Sequence, residues 1–93
     1  MPFGVVVSQT AQRELERLPP ALQDHIVNAI DQLAANPIQL SRPAVFPWPP
    51  TQQLFRPDPV EEDGIRHEFV VLFRYGQDEQ TIVVNNIGHY MVR

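Results

Sequence analysis

The side chains best suited to chemistry lie in the last third of the sequence. The run IRHEFVVLFRY places Arg66, Glu68 and Arg74 at even positions. Side chains alternate across a β-strand, so the two guanidinium groups and the carboxylate would share one face. A second apolar run ends in His89 and Tyr90. These residue types offer proton transfer and phosphate binding, and any function is best sought around them.

Two apolar runs flank a short polar turn at residues 76–79, which predicts an antiparallel β-hairpin. In the first run the odd positions, from Ile65 to Tyr75, form a nearly apolar face. In residues 81–88 both parities are apolar, which is typical of a strand covered on both sides. We therefore expect the hairpin at the centre of the fold. The candidate residues would then lie on the even face of its first strand and at the far end of its second.

The first 36 residues predict a strand followed by two helices. Residues 3–7 are a short apolar run, and Ser8 or Thr10 could cap the next helix. The charged residues of that helix, Glu14 among them, are expected to point outward. A Pro-Pro break separates it from a second helix that should end at Asn36. Apolar residues keep helical spacing in both segments: Ala11, Leu15 and Leu18, then Leu22, Ile26, Ala29, Ile30 and Leu33.

Residues 37–64 contain seven of the ten prolines and predict a long loop. Within it, residues 52–56 could form a short edge strand that ends at Pro57, and residues 61–64 an acidic turn. The element order indicates a single α+β domain over residues 1–93, with an N-terminal strand, a helix hairpin and antiparallel C-terminal strands (β-α-α-β-β-β). The helix hairpin would cover one face of the sheet and leave the other partly open.

The composition has an acidic balance. Seven basic residues, all arginine, stand against eleven acidic ones, for a formal net charge of −4. This argues weakly against a free-standing nucleic-acid binder, although a local arginine cluster could still bind phosphate. The absence of cysteine excludes disulfides, thiolate metal sites and cysteine nucleophiles. No apolar run is long enough to cross a membrane and no secretion signal is visible, so we expect a cytoplasmic protein.

Taken in order, these segments resemble the RelE/ParE superfamily of toxins from bacterial type II toxin–antitoxin systems. The resemblance includes the opening strand, the S-x-x-A-x-x-x-L-x-x-L pattern from Ser8 to Leu18, and the second helix ending in LAANP. It continues with the arginine-led strand at Arg66 and the apolar strand from Ile82 to His89. The resemblance extends over most of the chain. No single motif in it is specific, so it rests on the order and spacing of these segments. It implies the α+β fold above, no cofactor and a cognate antitoxin as partner.

The superfamily contains two activities. RelE-like members cut mRNA in the ribosomal A site, whereas ParE-like members share the fold and act on DNA gyrase without cleaving RNA. In the cleaving members an arginine at the start of the penultimate strand matches Arg66, and a basic cluster after the last strand corresponds to His89 and Tyr90. This sequence departs from that pattern because it has no lysine and carries Tyr90 where some relatives have a second arginine. Enzymatic activity is therefore left open.

A metal-independent endoribonuclease needs a base for the 2′-hydroxyl, a cation for the phosphorane and an acid for the leaving oxygen. Glu68 or His89 is the candidate base, Arg66 or Arg74 the phosphate clamp, and His89 or Tyr90 the acid. Bringing His89 beside the others depends on the pairing of the hairpin. The alternative is that Arg66, Glu68 and Arg74 form a solvated cross-strand charge pattern.

Other residues complete the set of candidates. Arg56 and Arg93 join Arg74 as substrate-binding candidates. His67 lies on the apolar parity and is expected to be buried and hydrogen-bonded, whereas His25 is expected at the surface. The three histidines lack metal-ligand spacing, so we expect no metal site.

The proline-rich stretch contains two aromatic residues, Phe46 and Trp48. They could form an aromatic recognition surface, but the favoured interpretation is that Trp48 plugs the edge of the core.

Three hypotheses follow: a RelE-like ribosome-dependent endoribonuclease, a ParE-like toxin that binds a protein such as gyrase, or a decayed member that keeps the fold and antitoxin binding without toxicity. In each, the antitoxin would lay an amphipathic segment into apolar grooves beside the helix hairpin. The net charge predicts an antitoxin that is less acidic than usual, or a contact centred on apolar burial. Ribosome and mRNA, or gyrase, would be the targets.

Overall fold

The computed structural model describes residues 2–44, 48–49 and 51–93. Its elements are, in chain order, β1 (Gly4–Val7), α1 (Gln9–Glu16), α2 (Pro20–Ala35), α3 (Pro37–Leu40), β2 (Ser41–Pro43), β3 (Gln53–Phe55), β4 (Val60–Glu62), β5 (Ile65–Tyr75) and β6 (Thr81–Val92). Ser8 caps α1, because its Oγ accepts a hydrogen bond from the backbone N–H of Ala11 at 3.1 Å. Among the described residues, no helix is long and apolar enough to span a membrane.

The predicted hairpin of β5 and β6 forms the centre of the sheet. The strand order is β1-β6-β5-β3-β2, and β4 pairs with the first residues of β5 outside that path. β1 lies parallel to β6, and the other pairings are antiparallel. The architecture is α+β, as predicted.

The core lies between the helices and one side of the sheet. The apolar residues predicted for α2 are all buried: Leu22, Ile26, Ala29, Ile30 and Leu33. They form one cluster with three odd-numbered residues of β5, namely Phe69, Val71 and Phe73. Burying each large apolar side chain contributes about 1.5–3 kcal/mol, so this layer determines which face of β5 meets the helices. The even-numbered side chains of β5 point to the opposite side, which we call the open face.

Residues 37–64 contain more regular structure than their prolines suggest, since α3, β2, β3 and β4 all lie here. The strand predicted at residues 52–56 is observed as β3, but it is not an edge strand, because β2 pairs with its outer side and β5 with its inner side. The acidic turn is shorter than predicted. Asp63 and Gly64, both with positive φ, close the hairpin of β4 and β5.

A β-bulge in β6 changes which side chains face the helices. The register of the hairpin shifts between Leu72 and Phe73 of β5, and Asn85 is the extra residue on β6. An extra residue inverts the alternation of every side chain beyond it. Ile87 therefore joins Val84 in the core. Val83 lies on the open face, opposite Arg74, and is half-buried, so the strand is not fully covered on both sides.

Candidate active site

Glu68 and Tyr90 lie opposite each other on the open face. They are direct cross-strand partners in the register of β5 and β6, which places their Cβ atoms about 5 Å apart. Arg56, just after β3, reaches the same place, and its Nη1 donates a hydrogen bond to Tyr90 Oη at 2.9 Å. Because the guanidinium occupies a lone pair of the phenol oxygen, the phenol proton remains free to be donated. A carboxylate, a cation and a proton donor are thus brought together.

Arg66 lies on the same face, but its side chain forms an ion pair with a carboxylate on β4. Its Nε lies 3.6 Å from Oε1 of Glu61, its direct cross-strand partner, and both side chains are more than half exposed. An exposed pair of this kind contributes about 0–1 kcal/mol to stability. The solvated cross-strand charge pattern is therefore observed for Arg66, with Glu61 and not Glu68 as its partner.

The other two candidate arginines lie away from Tyr90. Arg74 pairs with Val83, six residues along β5 from Glu68, which corresponds to about 20 Å. Arg93 lines a small cavity beside Arg66. Of the three arginines predicted to bind substrate, Arg56 is the one that contacts Tyr90.

The bulge separates His89 from the open face. With unbroken alternation His89 would stand opposite Glu68, but the extra residue Asn85 puts Tyr90 there instead. His89 pairs with Phe69 on the helix side, where the two rings stack with their centroids 5.2 Å apart. The expectation that the hairpin brings His89 beside the arginines and Glu68 is therefore not met. The two strands of the hairpin pair as predicted, but the His89 side chain lies on the helix side of the sheet and not on the open face.

The histidines collect on the helix side instead. His67 Nδ1 and His89 Nε2 are 2.9 Å apart, and the rings stack. Burial lowers the pKa of His89 below its usual 6.5, and Coulomb repulsion from His67 lowers it further. His67 is hydrogen-bonded as predicted, but it is half-buried and not buried. His25, expected at the surface, is half-buried beside Phe69, and its Nε2 lies 2.7 Å from the carbonyl oxygen of Asp58.

These histidines do not assemble a metal centre with neighbouring acidic groups. Within residues 2–44, 48–49 and 51–93, no three His, Asp or Glu side chains are grouped so that they could hold a metal ion.

Glu14 has a role that helix periodicity does not reveal. Its Oε1 accepts hydrogen bonds from the backbone N–H of Ile87 at 2.9 Å and from Asn86 Nδ2 at 3.5 Å. β1 ends at Val7, and beyond that point α1 lies against the outer edge of β6. The Glu14 side chain, which was expected to point outward, is thus half-buried. Its carboxylate accepts hydrogen bonds from β6 just after the bulge. The two adjacent polar residues Asn85 and Asn86, within an apolar strand, are the sequence signal for this irregularity.

Trp48 lines the open face, and its side chain is 43% exposed. It contributes to a cavity of about 410 Å³ whose other walls are Arg42, Pro43, Ala44, Leu54, Arg56, Val70 and Tyr90. The favoured interpretation, a plug at the edge of the core, is therefore wrong, and an aromatic surface is what the geometry supports. Phe46, the other half of that expectation, lies outside the described residues.

Comparison with known proteins adds structural relatives. No protein-family model matches the sequence, and no curated protein sequence matches it. A chain of the toxin–antitoxin complex RelBE2 from Mycobacterium tuberculosis is 22% identical and superposes with a TM-score of 0.78, over 97% of this chain and 100% of that one. A mutant of the Escherichia coli toxin RelE in the free state is 10% identical, with a TM-score of 0.65 over 95% and 83% of the two chains.

An archaeal structure extends the similarity. A chain of the RelE–RelB complex from Pyrococcus horikoshii OT3 is 13% identical, with a TM-score of 0.59 over 94% of this chain and 93% of that one. The strand and helix order places the protein among α+β domains with a helix-covered mixed sheet. More narrowly, the chain has the RelE fold, as the resemblance in its sequence predicted.

Proposed function

We propose that this chain is the toxin component of a type II toxin–antitoxin module and that its open face cleaves mRNA in the ribosomal A site. The observation that carries the proposal is the assembly of Glu68, Tyr90 and Arg56 at one point of a RelE fold. The cleavage needs neither a metal nor a cofactor, since these three side chains supply the base, the acid and the cation.

In the proposed reaction Glu68 removes the proton of a ribose 2′-hydroxyl. The 2′-oxygen then attacks the adjacent phosphorus, and Arg56 neutralises the charge that develops on the phosphorane oxygens. Tyr90 donates its phenol proton to the departing 5′-oxygen. The P–O5′ bond breaks, leaving a 2′,3′-cyclic phosphate and a 5′-hydroxyl. His89 takes no part in the proton transfers, because it lies on the other side of the sheet.

The proposed partner is a cognate antitoxin. Two of the similar structures are toxin–antitoxin complexes, one of them a complex of RelE with RelB. A groove of about 290 Å³ lies beside α2, with Ala29 and Leu40 among its lining residues. Exposed apolar side chains, Val27 and Ile38, lie on α2 and α3. An amphipathic antitoxin segment would cover this surface by apolar burial, which suits a chain with a net charge of −4.

The test is cleavage by the purified protein in a reconstituted translation system, with new mRNA 5′ ends mapped to codons. We expect Tyr90→Phe to lower the cleavage rate by about 100-fold or more, because the variant keeps the ring and loses the transferable proton. Tyr75→Phe is the matched control, since Tyr75 packs against the core on the other side of the sheet. Equal rates for wild type and Tyr90→Phe would contradict the assigned role of Tyr90.

A second candidate function is a ParE-like toxin that binds a protein target. Two observations favour it: the acidic net charge and the position of His89 on the helix side. Growth arrest on induction without new mRNA ends, together with inhibited gyrase supercoiling, would support this function over cleavage. A folded chain that binds its antitoxin and causes no arrest would identify a module that has lost toxicity.

A further inference from the structure

The cavity beside Trp48 adjoins the candidate active site, and most of its lining residues take no part in the proposed chemistry. It shares Arg56 and Tyr90 with that site. Its volume of about 410 Å³ lies within the range of roughly 300–1,000 Å³ that is typical of ligand sites. Leu54 and Val70 contribute apolar side chains to the lining. The space is therefore large enough for a flat, partly apolar ligand next to the reacting groups.

The charged side chains that line this cavity are of one sign. Among its described lining residues, Arg42 and Arg56 carry guanidinium groups, and none carries a carboxylate. A second cavity of about 260 Å³ shares Arg42, Leu54 and Arg56, so the positive lining continues toward β2. The groove beside α2 differs, because Asp58 lies in its wall. An exposed indole beside apolar side chains and two guanidinium groups suits a base that stacks and a phosphate that pairs with arginine.

We propose that the Trp48 cavity binds one unpaired nucleobase of single-stranded RNA, with Arg42 and Arg56 holding the flanking phosphates. The inference rests on the proposed function, since the strand is the same RNA that would reach Glu68 and Tyr90. A nucleotide fixed on Trp48 sets which neighbouring phosphodiester lies at those two side chains. The cavity therefore determines where along the strand the cut falls.

Trp48 is the single tryptophan of the chain, so its fluorescence reports on the cavity directly. The probe is a short 2′-O-methyl RNA oligonucleotide, which has no 2′-hydroxyl and cannot be cleaved. Its matched control has the same backbone with one abasic position. We expect quenching of Trp48 by the complete oligonucleotide and much less by the abasic one, because stacking requires the base.

Substitutions test the same contact by fluorescence anisotropy of a labelled oligonucleotide. Trp48→Ala should weaken binding by roughly 5- to 150-fold, as expected for the loss of one base–aromatic stack. Trp48→Phe keeps an aromatic ring and should retain most of the affinity. Val6→Ala is the control, because Val6 is an exposed apolar residue on β1, at the opposite edge of the sheet. Equal affinity of Trp48→Ala and wild type, or equal quenching by both oligonucleotides, would overturn the proposal.

Cleavage in the translation system, measured in parallel, separates this inference from the proposed function. Base-dependent binding without cleavage would support the cavity as an RNA site and count against the nuclease. Cleavage without base-dependent quenching would overturn the cavity assignment alone.

Discussion

His67 and His89 share one hydrogen bond between two ring nitrogens 2.9 Å apart. When both rings are neutral, an N–H of one donates to the lone pair of the other. Protonation of both rings would place two N–H groups against each other and two positive charges at close range. The contact therefore makes the packing of the central hairpin sensitive to pH, on the side of the sheet opposite the candidate site.

We expect the free energy of unfolding to fall as the pH drops below 6.5. The pKa of His89 is lowered in the folded protein, so the unfolded chain takes up the proton at a higher pH than the folded protein does. Acidification therefore favours the unfolded chain. The contribution of His89 to stability is fully present above pH 6.5 and is lost as the pH falls toward the lower folded-state pKa.

Asp78 contributes to stability in a more acidic range, because its pKa is lowered from 3.8 by the hydrogen bond from the backbone N–H of Gln80.

Thermal unfolding between about pH 7.5 and pH 5 measures this effect, since histidine titrates in that range. His89→Gln should flatten the pH dependence of Tm, because it removes the ring whose pKa is lowered in the folded protein. His25→Gln is the comparison variant, because His25 lies outside the pair. The same slope in wild type and His89→Gln would assign the pH dependence to other groups.

At the level of the elements, α1 holds β6 in place beyond the end of β1. The acceptor for the Ile87 N–H is Glu14 Oε1, at 2.9 Å. We expect Glu14→Ala to destabilise the protein by about 1–3 kcal/mol, because a half-buried N–H loses its partner. Each kcal/mol lowers Tm by roughly 4–8 °C in a domain of this size. Glu14→Gln keeps a carbonyl oxygen and should lose less.

Glu16→Ala is the control for the same helix. Glu16 is exposed and accepts a hydrogen bond from Gln12, one turn away, so its removal should change the stability by less than about 0.5 kcal/mol. Equal Tm values for Glu14→Ala and Glu16→Ala would show that the Glu14 contact contributes nothing to stability.

The same elements show how far the sequence predicts the structure. The two helices and the hairpin are predictable, because apolar residues such as Leu22 and Phe69 repeat with the period of each element. The side on which His89 lies is not, since one extra residue at Asn85 inverts the alternation without disturbing the apolar pattern. Three-residue strands such as β2 carry too few residues for any period to appear. The cavity at Trp48 depends on contacts between distant segments, which local patterns do not contain.

Across the whole molecule, the charges are segregated in a way that the net charge conceals. Four of the seven arginines lie on the open face, namely Arg42, Arg56, Arg66 and Arg74. Two carboxylates, Glu61 and Glu68, share that face with them. The net charge of −4 therefore describes the molecule as a whole and not the surface that RNA would meet.

This arrangement predicts a modest salt dependence of RNA binding. If Arg42 and Arg56 each neutralise one phosphate of a single strand, log K should fall with log[salt] with a slope of about −1.4, from roughly 0.7 per phosphate. Arg42→Gln should reduce the slope by about 0.7, whereas Arg13→Gln, on the exposed side of α1, should leave it unchanged. Anisotropy titrations of the 2′-O-methyl oligonucleotide at several salt concentrations give these slopes. A slope near zero would mean that binding does not use the arginines of the open face, and equal effects of both variants would mean that it depends on the overall charge.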